Sequence, residues 1–171
     1  MAKTIRCGIS SKDFRDAAKQ IRKYNEELKI KQEMIVRTLS EYGVVIARSL
    51  LLEMDAIDTG HLSSSIAAIY DPLTKTGFVR VNCDYAVFVE FGTGVKGAAS
   101  PYMGEAINKV AYKYGSGTHY VILNDGRVGW YFPADDGTFK FTQGMPSRPF
   151  MYDTARDLHN RVIEIARSVF Q

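Results

Sequence analysis

At 171 residues, with 46% apolar and 24% charged side chains, the chain is long enough for one domain with a sizeable core and has an ordinary globular balance. Twenty-two basic residues against nineteen acidic leave a net charge of +3, too near balance to argue for a nucleic-acid or membrane partner. Cys7 and Cys83 lack a ligand pattern and read as reduced thiols of a chain made in the cytoplasm, a single disulfide between them being the alternative; the first ten residues lack the apolar core of a signal peptide, and no apolar run approaches a bilayer's width.

Residues 4–9 read as a short strand. From Ser10 or Ser11 the pattern becomes helical, either hydroxyl being suited to cap the first turn. Apolar side chains then recur at Phe14, Ala17, Ile21, Tyr24, Leu28, Ile35, Leu39, Tyr42, Ile46 and Leu50, mostly three or four apart, as on one helix face. Gly43 and the polar stretch 29–33 are weak points. A single helix over 11–54 would measure roughly 65 Å, against a diameter of about 40 Å for a compact chain of this size. It therefore either breaks near residues 29–32 or runs on beyond its own core. In the second case its apolar stripe needs a partner.

Residues 65–70 and 78–82 read as two strands, with Asp71-Pro72 and Lys75-Thr76-Gly77 as the turn chemistry between them. Residues 85–91 are short and apolar, and periodicity alone leaves strand and helix both open. A short helix is expected within 105–114. Strands at 118–123, 127–132 and 138–142, joined by Asn124-Asp125-Gly126 and by 133–137, form a small antiparallel meander. Trp130, Phe132, Phe139 and Phe141 alternate along it, which predicts one strongly apolar face that a hairpin cannot shelter by itself. Pro149 opens the last helix, with Phe150, Leu158, Val162, Ile165 and Val169 inward.

His61, His119 and His159 have no helical zinc spacing, and Asp135-Asp136-Gly137 lacks a calcium ladder, so it reads as a hairpin turn. Ser63, Ser64 and Ser65 near His61 lack a nucleophile elbow. Gly92-Thr93-Gly94 lacks the ending of a phosphate loop. Glu90 stands inside an apolar run; it either points to solvent or, if buried, requires a partner. The aromatic meander with Lys109, Lys113, Arg127, Lys140 and Arg148 nearby is the one feature suited to a single-stranded nucleic acid, but interleaved acids break any basic stripe. No catalytic group, cofactor or metal is expected.

Three stretches remain: Asp58, Thr59, Gly60, Leu62, Ser65 and Ile66; Tyr85, Ala86, Val89, Glu90, Phe91, Gly92 and Thr93; and Pro146, Arg148, Pro149, Phe150 and Met151. In this order, with helices at both ends, they resemble the head–tail joining and tail-completion (neck) proteins of long-tailed bacteriophages. The resemblance covers nearly the whole chain as one domain, 1–171, with 95–145 as an insertion. It implies an α+β fold: a long N-terminal helix and a C-terminal helix on a mostly antiparallel sheet, with the aromatic meander inserted. It also implies a non-enzymatic virion component, assembled in the bacterial cytoplasm as a hexameric or dodecameric ring. Such a ring contacts the head connector or adaptor and the tail-tube or tail-terminator protein, DNA passes through without sequence readout, and no membrane is involved. The motif residues are then fold and interface determinants. Tyr24, Leu28, Trp130, Phe132, Phe139 and Phe141 are candidate contacts between copies, the helix stripe of one covering the meander of the next. A tail terminator or minor tail protein is the alternative within the class; a single-stranded nucleic-acid-binding module is the alternative outside it.

Overall fold

The computed structural model describes residues 4–56, 60–110, 112–114, 120–134 and 136–170. The fold is α+β, with the long N-terminal and the C-terminal helix on antiparallel sheet. In chain order the elements are α1 (Ser11–Glu53), α2 (His61–Ser64), β1 (Ile66–Asp71), β2 (Thr76–Val81), α3 (Ala86–Phe91), α4 (Gly94–Ala99), α5 (Ala106–Lys109), β3 (Val121–Ile122), β4 (Val128–Pro133), β5 (Phe139–Thr142) and α6 (Phe150–Phe170). They gather into two compact units. One holds residues up to Val45, Ala67–Arg80 and residues from Asp157 onward; the other holds Ile46–Ile66 and Val81–Arg156.

In the first unit, α1 begins at a reciprocal cap. The Ser10 hydroxyl accepts the Asp13 N–H at 3.2 Å, and the Asp13 carboxylate accepts the Ser10 N–H at 3.1 Å and its hydroxyl at 2.7 Å. These bonds hold the Asp13 carboxyl below the usual range, so Ser10 is the capping serine of the two expected. The helix is one element through residues 29–33, where a break was the alternative. Gly43 is no weak point. A Cβ there would stand 2.5 Å from a methyl of Val79 and 3.0 Å from Leu158, so the missing side chain is what lets β2 and α6 close on α1. The β1–β2 hairpin turns on Asp71, which accepts the Leu73 N–H at 2.9 Å and the Thr74 hydroxyl at 2.7 Å. Arg37 stacks over the Tyr70 ring at 4.1 Å.

The apolar face read for α1 is only partly covered. Phe14, Ile21 and Tyr42 are exposed, while Ala17, Ser40, Gly43, Ala47 and Leu51 are buried. The buried line steps by four from Gly43 through Ala47 to Leu51, so it drifts around the helix away from the 3–4 pattern read from the sequence. Val162 in α6 is likewise exposed, whereas Phe150 and Ile165 are buried. Residues 4–9 form no strand: Ile9 is 97% exposed, and the segment leads directly into the cap of α1.

In the second unit, residues 85–91 resolve as a helix, and the expected helix within 105–114 shrinks to α5. The meander is present, with β4 central and antiparallel to both neighbours. Of its first expected strand only Val121 and Ile122 pair; residues 118 and 119 lie outside the described residues. Its faces differ from expectation. Trp130 opposes Thr142 and Phe132 opposes Lys140, while Tyr131 opposes Phe141 and Pro133 opposes Phe139. Residues directly opposite share a face, so Trp130 and Phe132 lie on one side of the sheet and Phe139 and Phe141 on the other. The turn after β4 shifts the alternation by one, and the single apolar face predicted from sequence becomes two.

Candidate functional site

The second and third motif stretches meet in one bonded junction. Tyr85 precedes α3, Ala86 opens it, and its last turn brings Val89, Glu90 and Phe91 inside. Glu90 is 8% exposed, which settles the choice left open by the sequence. Its two oxygens accept the backbone N–H groups of Met151 at 2.9 Å and Tyr152 at 3.0 Å. Those are first-turn amides of α6, which have no partner within the helix and sit at its positive end. The acid of one motif therefore caps the helix that the other motif opens. The same short helix sends more bonds to the stretch before α6. The Arg148 N–H donates to the Val89 carbonyl at 2.9 Å, and the Ser147 hydroxyl donates to the Glu90 carbonyl at 2.7 Å.

Past α3 the chain stays against the same stretch. The Thr93 N–H donates to the Met145 carbonyl at 2.8 Å, and the Thr93 hydroxyl accepts the Met145 N–H at 3.1 Å. Gly92 has φ of +78°, and a Cβ on it would stand 2.5 Å from the Ser147 nitrogen and 2.8 Å from the Pro146 carbonyl carbon. Only glycine meets both the backbone angle and the close approach. So Gly92-Thr93-Gly94 is a backbone crossing, with the Gly92 carbonyl taken by the Tyr112 hydroxyl at 2.5 Å. Pro149 follows Arg148 at the mouth of α6, its carbonyl accepting the Asp153 N–H at 2.9 Å, and Phe150 is fully buried.

Aromatic rings close this junction. Tyr102 packs edge-on to Phe91 with centroids 4.7 Å apart and against Tyr152 at 5.7 Å; Tyr112 reaches Phe91 at 5.0 Å. Burial pushes the Glu90 carboxyl up to about 6, against the opposing pull of the Met151 and Tyr152 amides, and Asp153 adds to the rise. Burial, with the Glu90 carboxylate second, pushes the Tyr102 phenol up to about 12. Both oxygens of Glu90 already hold amides, and the adjoining hydroxyls of Ser147 and Tyr112 hold carbonyls. The arrangement organises backbone.

The first motif stretch stands apart from that junction. Asp58 and Thr59 lie outside the described residues. Gly60, at φ +78°, leads into α2, a single helical turn. Leu62 and Ile66 are buried, and the Ser64 and Ser65 hydroxyls donate to the His61 and Leu62 carbonyls at 2.9 and 2.7 Å. Contact with the second stretch comes through the rings of His61 and Tyr85, 6.2 Å apart. Arg48, which sequence reasoning missed, holds this corner: its guanidinium donates to the Ser63 carbonyl at 3.1 Å and the Ile66 carbonyl at 3.0 Å. Its signal was absent, because it is one more cation on a long helix. Ser147 was also missed, though it lies between Pro146 and Arg148. Tyr102 and Tyr112 carried no local pattern.

Of the candidate contact residues, Tyr24 and Leu28 are half-buried on α1, and Trp130 is half-buried with Tyr120 edge-on at 5.6 Å. Phe139 is 71% exposed, Phe132 is exposed, and Phe141 packs on Tyr131 at 5.5 Å with Arg127 over its ring. Arg127 pairs with Asp125 at 2.7 Å and Lys140 with Asp136 at 3.3 Å, so the basic side chains of the meander are matched by acids on its own turns. Among the described residues no group of three or more His, Cys, Asp or Glu side chains stands close enough to hold a metal, and no helix is long and apolar enough to cross a membrane. No protein-family model, curated protein or solved structure matches the chain.

Proposed function

We propose that the chain is a non-enzymatic structural component of a phage particle, forming a ring at the head–tail junction as a tail-completion or head–tail joining protein. The observation that carries this reading is the two-sided meander. Phe139 and Tyr131 on one face and Phe132 on the other stand in solvent, on a sheet three strands wide. Apolar groups exposed on both faces of a small sheet are suited to burial against further copies or the next ring. The junction centred on Glu90 supports the same reading from another side. Two of the stretches that carry the resemblance to neck proteins are bonded to each other, as fold determinants would be.

On this reading the ring closes through unlike patches, and its neighbours are the connector or adaptor on the head side and the tube or terminator on the tail side. The acid-matched meander disfavours the single-strand-binding alternative. Electron microscopy of particles carrying the protein, with light scattering of the purified chain, tests the proposal. A closed ring at the neck is expected. A copy standing alone in the particle, with the meander in water, would overturn it, and a salt-dependent shift of single-stranded DNA would favour the alternative.

A further inference from the structure

We infer that the first turns of α1 hold the phosphate backbone of duplex DNA. The net charge of the chain is near balance, but its cations are not evenly spread. A helix advances by about 100° per residue. On that spacing Lys12, Arg15, Lys19, Arg22 and Lys23 fall within an arc of about 100°, along about 16 Å of axis, and no other residue between Ser11 and Tyr24 falls inside it. All five are exposed, and among the described residues none of them is in an ion pair. Asp16 borders the arc; Asp13 lies well outside it and is held in the Ser10 cap. Beyond Lys23 the arc changes character. Glu26 and Glu33 enter it, and each is taken by a base of the same helix, Lys29 at 2.8 Å and Arg37 at 2.7 Å.

Five like charges on one face repel one another and are relieved by a polyanion. What the arc omits then selects the occupant. It carries no aromatic ring on which an unpaired base could stack, so a single strand gains nothing over a duplex. It carries no amide or hydroxyl side chain to read a base edge, so the contact is to phosphates and is independent of sequence. Arg15 and Arg22 present forks that match phosphate oxygens, and the lysines add point charges. A lipid surface would have to take up the apolar side of the helix along with the cations. That side stands opposite the arc, and on it Ala17 is buried and Tyr24 and Leu28 are half-buried. The choice of DNA over an RNA duplex rests on the proposed function; the charge argument does not.

Fluorescence anisotropy of a labelled 20-base-pair DNA duplex of arbitrary sequence, titrated with the full chain at a series of salt concentrations, checks it. Five phosphate contacts predict a slope of log affinity on log salt of about −4.5, which is a loss of about 500-fold between 50 and 200 mM. Arg15→Gln and Lys19→Gln should each lower the slope by about 1. Lys12→Gln, Arg15→Gln, Lys19→Gln and Arg22→Gln together should reduce it to about −1, with helix content unchanged by circular dichroism. Lys140→Gln, whose ammonium is already matched by Asp136 at 3.3 Å, should change nothing. No binding at 50 mM salt, binding that survives the fourfold variant, or polyglutamate competing as well as the duplex at equal charge would each overturn the inference. So would capture by vesicles containing phosphatidylserine without capture of the duplex. An RNA duplex bound more tightly than DNA would overturn the choice of DNA. Rings that form normally from a chain without duplex affinity would overturn the inference and leave the proposed function standing.

Discussion

Glu90 Oε2 accepts the Met151 backbone N–H at 2.9 Å across a sequence separation of 61 residues, and Oε1 holds the next amide, that of Tyr152. One buried carboxylate thus ties a six-residue helix to the start of α6. Replacing it by glutamine keeps one acceptor but turns an NH₂ group toward an amide donor. Glu90→Gln should cost about 1–3 kcal/mol, and Glu90→Ala more because both amides lose their acceptor. Urea unfolding of the two variants measures this; equal midpoints for wild type and alanine variant would refute the junction's role.

The same carboxyl makes stability depend on pH. Burial raises it from 4.5 to about 6 in the folded chain. Between those values the native state holds more protons than the unfolded state, so stability falls as pH rises. The contribution is fully present below about 4.5 and is lost on passing through about 6, amounting to about 2 kcal/mol. The exposed carboxyls of Asp13, Asp71, Asp125 and Asp136 are lowered, so they act with the opposite sign and at more acid pH. Urea midpoints from pH 4 to 7 should show the fall in wild type and a flat profile in Glu90→Gln.

Gly92→Ala should cost about 3 kcal/mol or more, since it adds a strained positive φ to a Cβ lying 2.5 Å from backbone. Thermal unfolding followed by near-ultraviolet circular dichroism reads this directly. Gly126→Ala is the control: its φ is also positive, but a Cβ there meets nothing within 4 Å, so it should cost only the backbone strain.

Arg48→Met should cost about 1 kcal/mol through loss of two donors to carbonyls, and Arg48→Lys should not restore it, because a single ammonium lacks the fork that spans Ser63 and Ile66. Denaturant midpoints of the pair separate donor geometry from charge.

Phe139→Ser changes a side chain 71% in solvent and should shift stability by less than about 0.5 kcal/mol. If the meander is a ring contact, it should still block assembly, seen as loss of rings by electron microscopy at unchanged melting temperature. Rings of normal yield would remove the meander from the interface.

Local chemistry determined much from the sequence alone. The serine cap of α1, the Asp71 turn, the two hairpin systems and the opening of α6 were legible because each rests on residues a few positions apart. Long-range geometry decided the rest. Whether Glu90 faced solvent could not be read from its own run, because its partners lie some sixty residues away. The two faces of the meander depended on register, and a one-residue shift across the turn after β4 moved Phe139 and Phe141 to the side opposite Trp130. Gly43 looked like a flaw in a helix until Val79 and Leu158 stood against it. Sequence supplies the local preferences and the apolar surface; only the tertiary structure sets which groups, distant along the chain, lie within bonding distance.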